Sequence, residues 1–252
     1  MKEQKKYAIT VIAGLLTIII SSIILFSSGS YAVYTANTAK RKLPVYGVGR
    51  DDGALSVSFD CAWGTDYTDK ILDTLDFYNV KATFFVVQFW AEKYPDYLKK
   101  IVERGHEVGT HSKTHPKMSK LSAEAIEEEL KSSVAAIENV TGQKVKLFRP
   151  PFGDYDDKVI TAAENLGLYT IQWNVDSLDW KNLSAEQIAA RVIKKAGSGS
   201  IILMHNNGLH TAESLPLIFT ATQQKGFVYR PIGELIYTDD FRITPDGTQI
   251  KN

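Results

Sequence analysis

Hydrophobic positions along this 252-residue chain form one long unbroken run followed by short runs of two alternating periods. Residues 1–6 (MKEQKK) are charged, no charge appears from Tyr7 to Ala39, and Ile9 to Phe26 is almost wholly apolar. About 18 to 20 apolar residues suffice to cross a bilayer as a helix, and exceed the roughly 7 to 15 of a signal-peptide core. The expected organisation is a cytoplasmic N-terminus (1–6), a transmembrane anchor (7–26) and a linker (27–43) rich in Ser, Thr, Ala, Gly and Tyr. A cleaved signal is the competing reading, because Ser30-Tyr31-Ala32 places small residues just before Val33. Lysines on both sides of the run leave its orientation open.

Beyond the linker the period switches repeatedly between two and 3.6. Ala54 to Phe59 and Ala82 to Val87 read as strands, and Thr68 to Tyr78 reads as a helix with Ile71, Leu72 and Leu75 on one face. Pro95 suits a first helical turn, and Gly105 stops that helix after Arg104. A short strand over His106 to Gly109 is followed by a helix that Ser122 caps and Thr141-Gly142 ends. Strands at Val145–Phe148 and Tyr169–Asn174 flank a helix over Asp157–Leu166. Ser184 with Gln187 forms a capping box for a helix closed by Gly197. The apolar run from Ser200 to Met204, a helix over Thr211–Lys225 and a strand at Phe227–Tyr229 follow. Such alternation implies a parallel sheet with helices outside it. About seven strand-helix units predict an α/β fold, a distorted (β/α) barrel over 44–238, with a C-terminal tail over 239–252.

Candidate chemistry concentrates at predicted strand ends. His111 and His115 lie four residues apart, close enough to face one metal ion from a helical turn or a tight loop. The alternative for this pair alone is two solvated histidines. Asp60, Arg149, Asp179 and His205 also fall at strand ends, where the working residues of barrel enzymes collect. His106 and His210 read as structural. Composition narrows the field: formal charge balances to zero, so no nucleic-acid partner is expected. The single cysteine, Cys61, excludes an internal disulfide and leaves the redox compartment open.

Five ordered motifs resemble those of the NodB-type polysaccharide deacetylases, carbohydrate esterase family four: Ser58 to Gly64, His111 to His115, Arg149 to Gly153, Asp176 to Trp180, and Leu203 to His205. Trp63-Gly64, the Asn79–Val86 segment and the apolar N-terminus are most similar to its PdaB-like sporulation branch. The resemblance implies metal-dependent hydrolysis of N-acetyl groups on a glycan such as peptidoglycan, with zinc as the expected ion. It implies His111 and His115 as metal ligands, Asp60 as catalytic base and Arg149 as the residue that fixes it. It also implies His205 as general acid, Asp179 as its carboxylate partner, the Phe152 backbone N–H as oxyanion donor, and Trp180 and Leu203 as acetyl-pocket walls. The expected location is the cell membrane with the catalytic domain outside, or a secreted protein.

The chain departs from the family where most members carry a second metal-ligating aspartate, because Cys61 stands there. A thiolate can bind zinc, yet on an extended strand Cys61 points to the face opposite Asp60. Asp66, beyond the conformationally free Gly64, is the expected third ligand and Cys61 its rival. Two other functions remain open: an esterase removing O-acetyl groups with the same machinery, and a catalytically silent glycan-binding relative. The N-terminal run carries its own test. Edman sequencing of the mature protein is expected to find the apolar span still attached, and a new terminus at Val33 would replace the anchor with a cleaved signal.

Overall fold

The organising unit is the strand β2, Ala54–Cys61, in which all eight residues are buried. Such a strand has no solvent face, so its two faces pack against different interiors. Leu55, Val57, Phe59 and Cys61 belong to the core that also contains residues of the surrounding helices. The alternate positions Ala54, Ser56, Ser58 and Asp60 take the other face. There the Ser58 hydroxyl donates to the Ile202 carbonyl at 2.8 Å. The period of two therefore places Asp60 and Cys61 on opposite sides of the sheet.

The computed structural model describes residues 41–252, of which 42–252 form one unit. The apolar run 7–26 and most of the linker lie outside the described residues. No helix among the described residues is long and apolar enough to cross a membrane. Strands β3 (Thr83–Val86), β4 (Glu107–Thr110), β5 (Leu147–Phe148), β6 (Tyr169–Thr170), β7 (Val175–Asp176) and β8 (Ile201–His205) join β2 in the order β6-β5-β4-β3-β2-β8-β7. Every pairing on this path is parallel. Helices α1 (Thr68–Phe77), α2 (Gln88–Lys93), α3 (Pro95–Glu103), α4 (Ala123–Thr141), α5 (Asp157–Asn165), α6 (Ala185–Lys195) and α7 (Thr211–Gln224) supply the crossovers. Ser122 caps α4 by accepting from the Ala125 N–H, and Gly142 ends it in the left-handed region, the usual chemistry of the two helix ends. The Ser184–Gln187 capping box opens α6 as its spacing predicts.

The parallel α/β architecture agrees with the sequence, and the expected distorted barrel takes the form of a curled half-barrel of seven parallel strands that stays open at one seam. The predicted strand over 169–174 is instead two short strands at opposite edges of a curled half-barrel, β6 beside β5 and β7 beside β8. The four residues between them have no room for a crossover helix, so the chain steps across the open seam. The incoming segment staples that seam. Val45 bridges to Ile171, with its N–H on the Thr170 carbonyl at 2.9 Å and its carbonyl accepting from Gln172 at 2.7 Å. Two residues on, β1 (Gly47–Val48) reaches the segment leading into β8, where Gly47 bridges to Ser200 and the Val48 N–H donates to the Gly199 carbonyl at 2.9 Å. Segment 239–252 is a hairpin of β10 (Phe241–Ile243) and β11 (Thr248–Lys251), and β11 pairs with β1. Strand β9 (Val228–Tyr229) adds to the start of β2, and the short helix α8 (Ile232–Leu235) follows it.

Gly199 shows how tight the seam is. It sits at φ +75°, and a Cβ there would lie 1.6 Å from the Val48 carbonyl oxygen. Gly199→Ala is expected to destabilise the fold by at least about 1–3 kcal/mol through backbone strain alone. Urea unfolding measures this, and an unchanged midpoint would show that the seam does not support the domain.

Candidate active site

The C-terminal ends of β2, β4, β5 and β8 open into one cavity of about 820 Å³, whose lining includes Asp60, His111, His115, Trp180, Leu203 and His205. Asp60 and His205 are register partners at the ends of adjacent strands. Arg149, which follows β5, has no exposed surface. Its Nη1 donates to Asp60 Oδ1 at 2.8 Å, its Nη2 donates to the Gln172 carbonyl at 3.2 Å, and its guanidinium lies 4.1 Å from the Phe85 ring centre. Burial pushes the Asp60 carboxyl up, but its surroundings of His111, Arg149 and His205, with the Arg149 hydrogen bond, outweigh it and hold the group below its ordinary range. Asp60 is thus a carboxylate with one oxygen held by arginine.

The second ionic pair forms around β8. His205 Nδ1 lies 2.8 Å from Asp179 Oδ1, while Asp179 Oδ2 accepts from the His205 backbone N–H (2.8 Å) and the Thr211 hydroxyl (2.6 Å). Asp179 is fully buried, and this three-donor arrangement fixes it. Burial pushes the His205 imidazole down, but the hydrogen bond and charge of Asp179 more than reverse it and raise its pKa. The protonated ring is therefore favoured. Thr211, read from sequence only as a helix start, turns out to hold this carboxylate.

His111 and His115 occupy a tight loop after β4, with ring centroids 4.9 Å apart. The His111 Nδ1 sits 2.7 Å from the Arg149 carbonyl. A carbonyl can only accept, so the proton is on Nδ1 and the Nε2 lone pair stays free. That Nε2 lies 3.5 Å from Asp60 Oδ2. Burial lowers both histidines, His115 to about 4, with the neighbouring His111 adding to the effect on His115. Two neutral imidazoles on one cavity suit a divalent cation. The two expected candidates for a third donor are placed differently. The Cys61 thiol is buried in the helix-side core, its Sγ 3.8 Å from the Phe59 carbonyl and its pKa pushed far up by burial. Asp66 lines the cavity, but its carboxylate lies over Gly64. No group of three or more His, Cys, Asp or Glu able to hold an ion occurs among the described residues. The two imidazoles fit a divalent ion, and Asp66 is the one further carboxylate besides Asp60 and Asp176 that lines their cavity among the described residues.

The loops themselves are strained. Ser112, His115, Phe152, Leu178 and Asn182 all have positive φ, five of the seven such non-glycine residues described, so unfavourable backbone geometry gathers at this cavity. Phe152 lies at φ +60° in the turn Pro151–Gly153, and Gln172 Nε2 secures that turn through the Gly153 carbonyl at 3.1 Å. The histidine loop is held by Glu129 of α4. Its Oε2 accepts from the Lys113 and Thr114 N–H groups at 2.9 and 2.8 Å, and its Oε1 accepts from the Thr114 hydroxyl at 2.7 Å. Ser112 Oγ accepts from the His115 N–H at 3.0 Å. A polar residue on the α4 flank next to a buried stripe was the one available signal. Glu129→Ala is expected to weaken zinc binding by about tenfold, the worth of roughly 1.4 kcal/mol of lost loop hydrogen bonding. Glu129→Gln, which keeps one acceptor, should recover most of it. Calorimetric zinc titration checks this, and equal affinity in wild type and Glu129→Ala would remove Glu129 from the site.

Comparison with known proteins gives this geometry its family. The polysaccharide deacetylase signature matches residues 47–171. The chain is 31% identical over 191 residues to the peptidoglycan-N-acetylmuramic acid deacetylase PdaA of Bacillus subtilis, covering 74% of this chain and 73% of PdaA. It is 34% identical over 194 residues to the peptidoglycan-N-acetylglucosamine deacetylase PgdA of Listeria monocytogenes, covering 77% of this chain and 41% of PgdA. The chain spans between 41% and 60% of the length of several curated relatives that it matches. Among solved structures it resembles BA3943 from Bacillus anthracis, described as a pseudoenzyme of carbohydrate esterase family 4, with TM-score 0.74 and 36% identity over 76% of this chain and 68% of that one. With its five motifs converging on one cavity and its sequence aligned across most of PdaA, the chain belongs to the polysaccharide deacetylase family, carbohydrate esterase family 4.

Proposed function

We propose that this chain hydrolyses N-acetyl groups from a cell-wall glycan of the peptidoglycan type. The observation that carries this reading is the pairing of Asp60 with Arg149 and of His205 with Asp179 at the ends of adjacent strands around one cavity. Amide hydrolysis needs a base for the attacking water and an acid for the departing amine, and these two pairs have opposite protonation preferences. Asp60, ionised and oriented by Arg149, takes the proton from water. His205, kept protonated by Asp179, gives one to the amine of the sugar. The Phe152 N–H, in a turn stiffened by Pro150 and Pro151, donates to the oxyanion, and Trp180 with Leu203 encloses the methyl group.

His111 and His115 would hold a divalent ion, with zinc the first choice for imidazole ligands, and we assign Asp66, on the same cavity wall, as the donor that would complete the site by turning away from Gly64. Such an ion supplies Lewis-acid polarisation of the acetyl carbonyl. The sequence run 7–26 supports a membrane-anchored domain on the outer side of the cell, where peptidoglycan lies. A second reading, a silent glycan-binding protein, is favoured by the missing third donor among the described residues and by the likeness to BA3943. Retention of both proton-transfer pairs weighs against it, because binding alone needs neither.

Mass spectrometry of purified muropeptides after incubation with the protein is expected to show loss of acetyl groups. Asp60→Asn and His205→Ala should each cut the rate by about 10²- to 10⁴-fold. Intact muropeptides, or unaltered rates in both variants, would leave the silent reading standing. The pH profile gives a finer test. The His205 pKa is raised above its ordinary value by the Asp179 contact, so the active imidazolium persists to higher pH than that of a free histidine and is lost as pH climbs through the raised value. Asp179→Asn removes the raising charge and leaves the lowering effect of burial. The alkaline limb should therefore move to lower pH, and a limb that stays in place would separate Asp179 from proton transfer.

A further inference from the structure

Four of the eight large hydrophobic side chains exposed among the described residues, Trp63, Phe152, Trp180 and Leu209, line the same cavity. Chance does not place half of the exposed apolar bulk around one opening, and an apolar rim of this kind marks a binding surface. Phe152 and Trp180 belong to the acetyl site already described. Trp63 does not.

Trp63 is 59% exposed, yet the loop that carries it is built firmly. The next residue, Gly64, takes φ +59°, and its carbonyl accepts from Trp90 Nε1 at 2.8 Å and from Asn206 Nδ2 at 2.9 Å. Trp90 is fully buried and Asn206 nearly so. Asn206 Nδ2 also reaches the Thr68 hydroxyl at 3.3 Å, so one amide ties this loop to the start of α1. The core thus presents an indole to solvent on a fixed backbone, at a hydrophobic cost that packing does not recover. Its edge meets His115 at 5.1 Å between ring centres, and His115 meets Phe152 at 4.6 Å. Trp63 therefore extends the imidazole wall of the cavity, whereas Trp180 follows Asp179 on the His205 wall.

The cavity of about 820 Å³ is far larger than an acetyl group requires. It falls in the range that encloses a drug-sized ligand. Its lining sets flat aromatic faces beside the polar side chains of Asp66, Asn182 and Asn207. Pyranose rings offer the complement, an apolar C–H face with hydroxyl groups at its edge. A lipid chain or an apolar peptide face would leave those amides without partners.

We propose that Trp63 is a sugar-stacking residue that binds the unit adjacent to the one deacetylated in an N-acetylated glycan chain, and so selects a polymer over a single sugar. This inference rests on the glycan reading above, and the test separates the two. Calorimetric titration of the full chain with N-acetylglucosamine and with its β-1,4 tetramer is compared for wild type, Trp63→Phe and Trp63→Ala, with melting temperatures recorded. The tetramer should bind wild type more tightly than the monomer. Trp63→Ala should lose about three- to tenfold in affinity for the tetramer and nothing for the monomer, the scale of one aromatic contact, while Trp63→Phe keeps most of it. Unchanged tetramer affinity in Trp63→Ala at an unchanged melting temperature overturns the subsite and leaves the glycan reading intact. Equal losses for monomer and tetramer overturn it as well, because they place Trp63 at the reacting sugar. Wild type binding neither sugar overturns the glycan reading itself, and the subsite with it.

Discussion

The buried ion pair between Arg149 and Asp60 requires the curvature of the whole sheet. In strand order β5 and β2 are separated by β4 and β3, so in a flat sheet their ends would stand three strand spacings apart. The 2.8 Å contact across this separation is possible because the sheet curls and a long guanidinium spans the remaining gap. Removing both charges from water costs several kcal/mol, so the pair is poor evidence of stability. The Gln172 carbonyl and the Phe85 ring offset part of that cost, and Arg149 Nε remains buried without a partner in the structure. Such an arrangement suits a site where a carboxylate must stay ionised and fixed in direction.

Around this pair the loops follow one rule: strained backbone is held by side chains from elsewhere in the fold. Glu129 reaches from α4 to the histidine loop, Gln172 secures the turn that contains Phe152, and Thr211 braces Asp179 from the start of α7. Each brace removes freedom that a catalytic group would otherwise lose during reaction, which is the physical content of preorganisation. The two proton-transfer pairs differ in their fixation. Asp60 is held through one charged partner, whereas Asp179 accepts three hydrogen bonds and passes its orientation to His205.

The metal side of the site is less complete than the proton-transfer side, and strand alternation is the reason. Position 61 follows Asp60 directly on a fully buried strand, so its side chain lies in the helix-side core. Cysteine is at home there as a small apolar group, and burial raises its pKa. The two imidazoles meet the cavity as neutral donors, but the carboxylate of Asp66, the third ligand expected from the sequence, is over Gly64.

The sequence by itself determined the element order, most helix boundaries and the identity of the residues that gather at the cavity. Those features are local: Ser122 and Ser184 cap helices within three residues, and alternation along β2 decides the faces of Asp60 and Cys61. Motif order then identified Arg149, Asp179 and His205 far apart in the chain. The tertiary structure decided what depends on closure. The stretch 169–174 has one strand-like pattern, but the open seam splits it, because Val45 takes the hydrogen bonds at its centre. Segment 239–252 carries no strong period, and β11 becomes ordered by pairing with β1, which lies at the opposite end of the domain's sequence. Glu129, Thr211 and Gln172 looked like ordinary polar residues on helices and a strand end. Their functional contacts exist only where the curl brings separate loops within hydrogen-bonding distance, and no periodicity in the sequence encodes that approach.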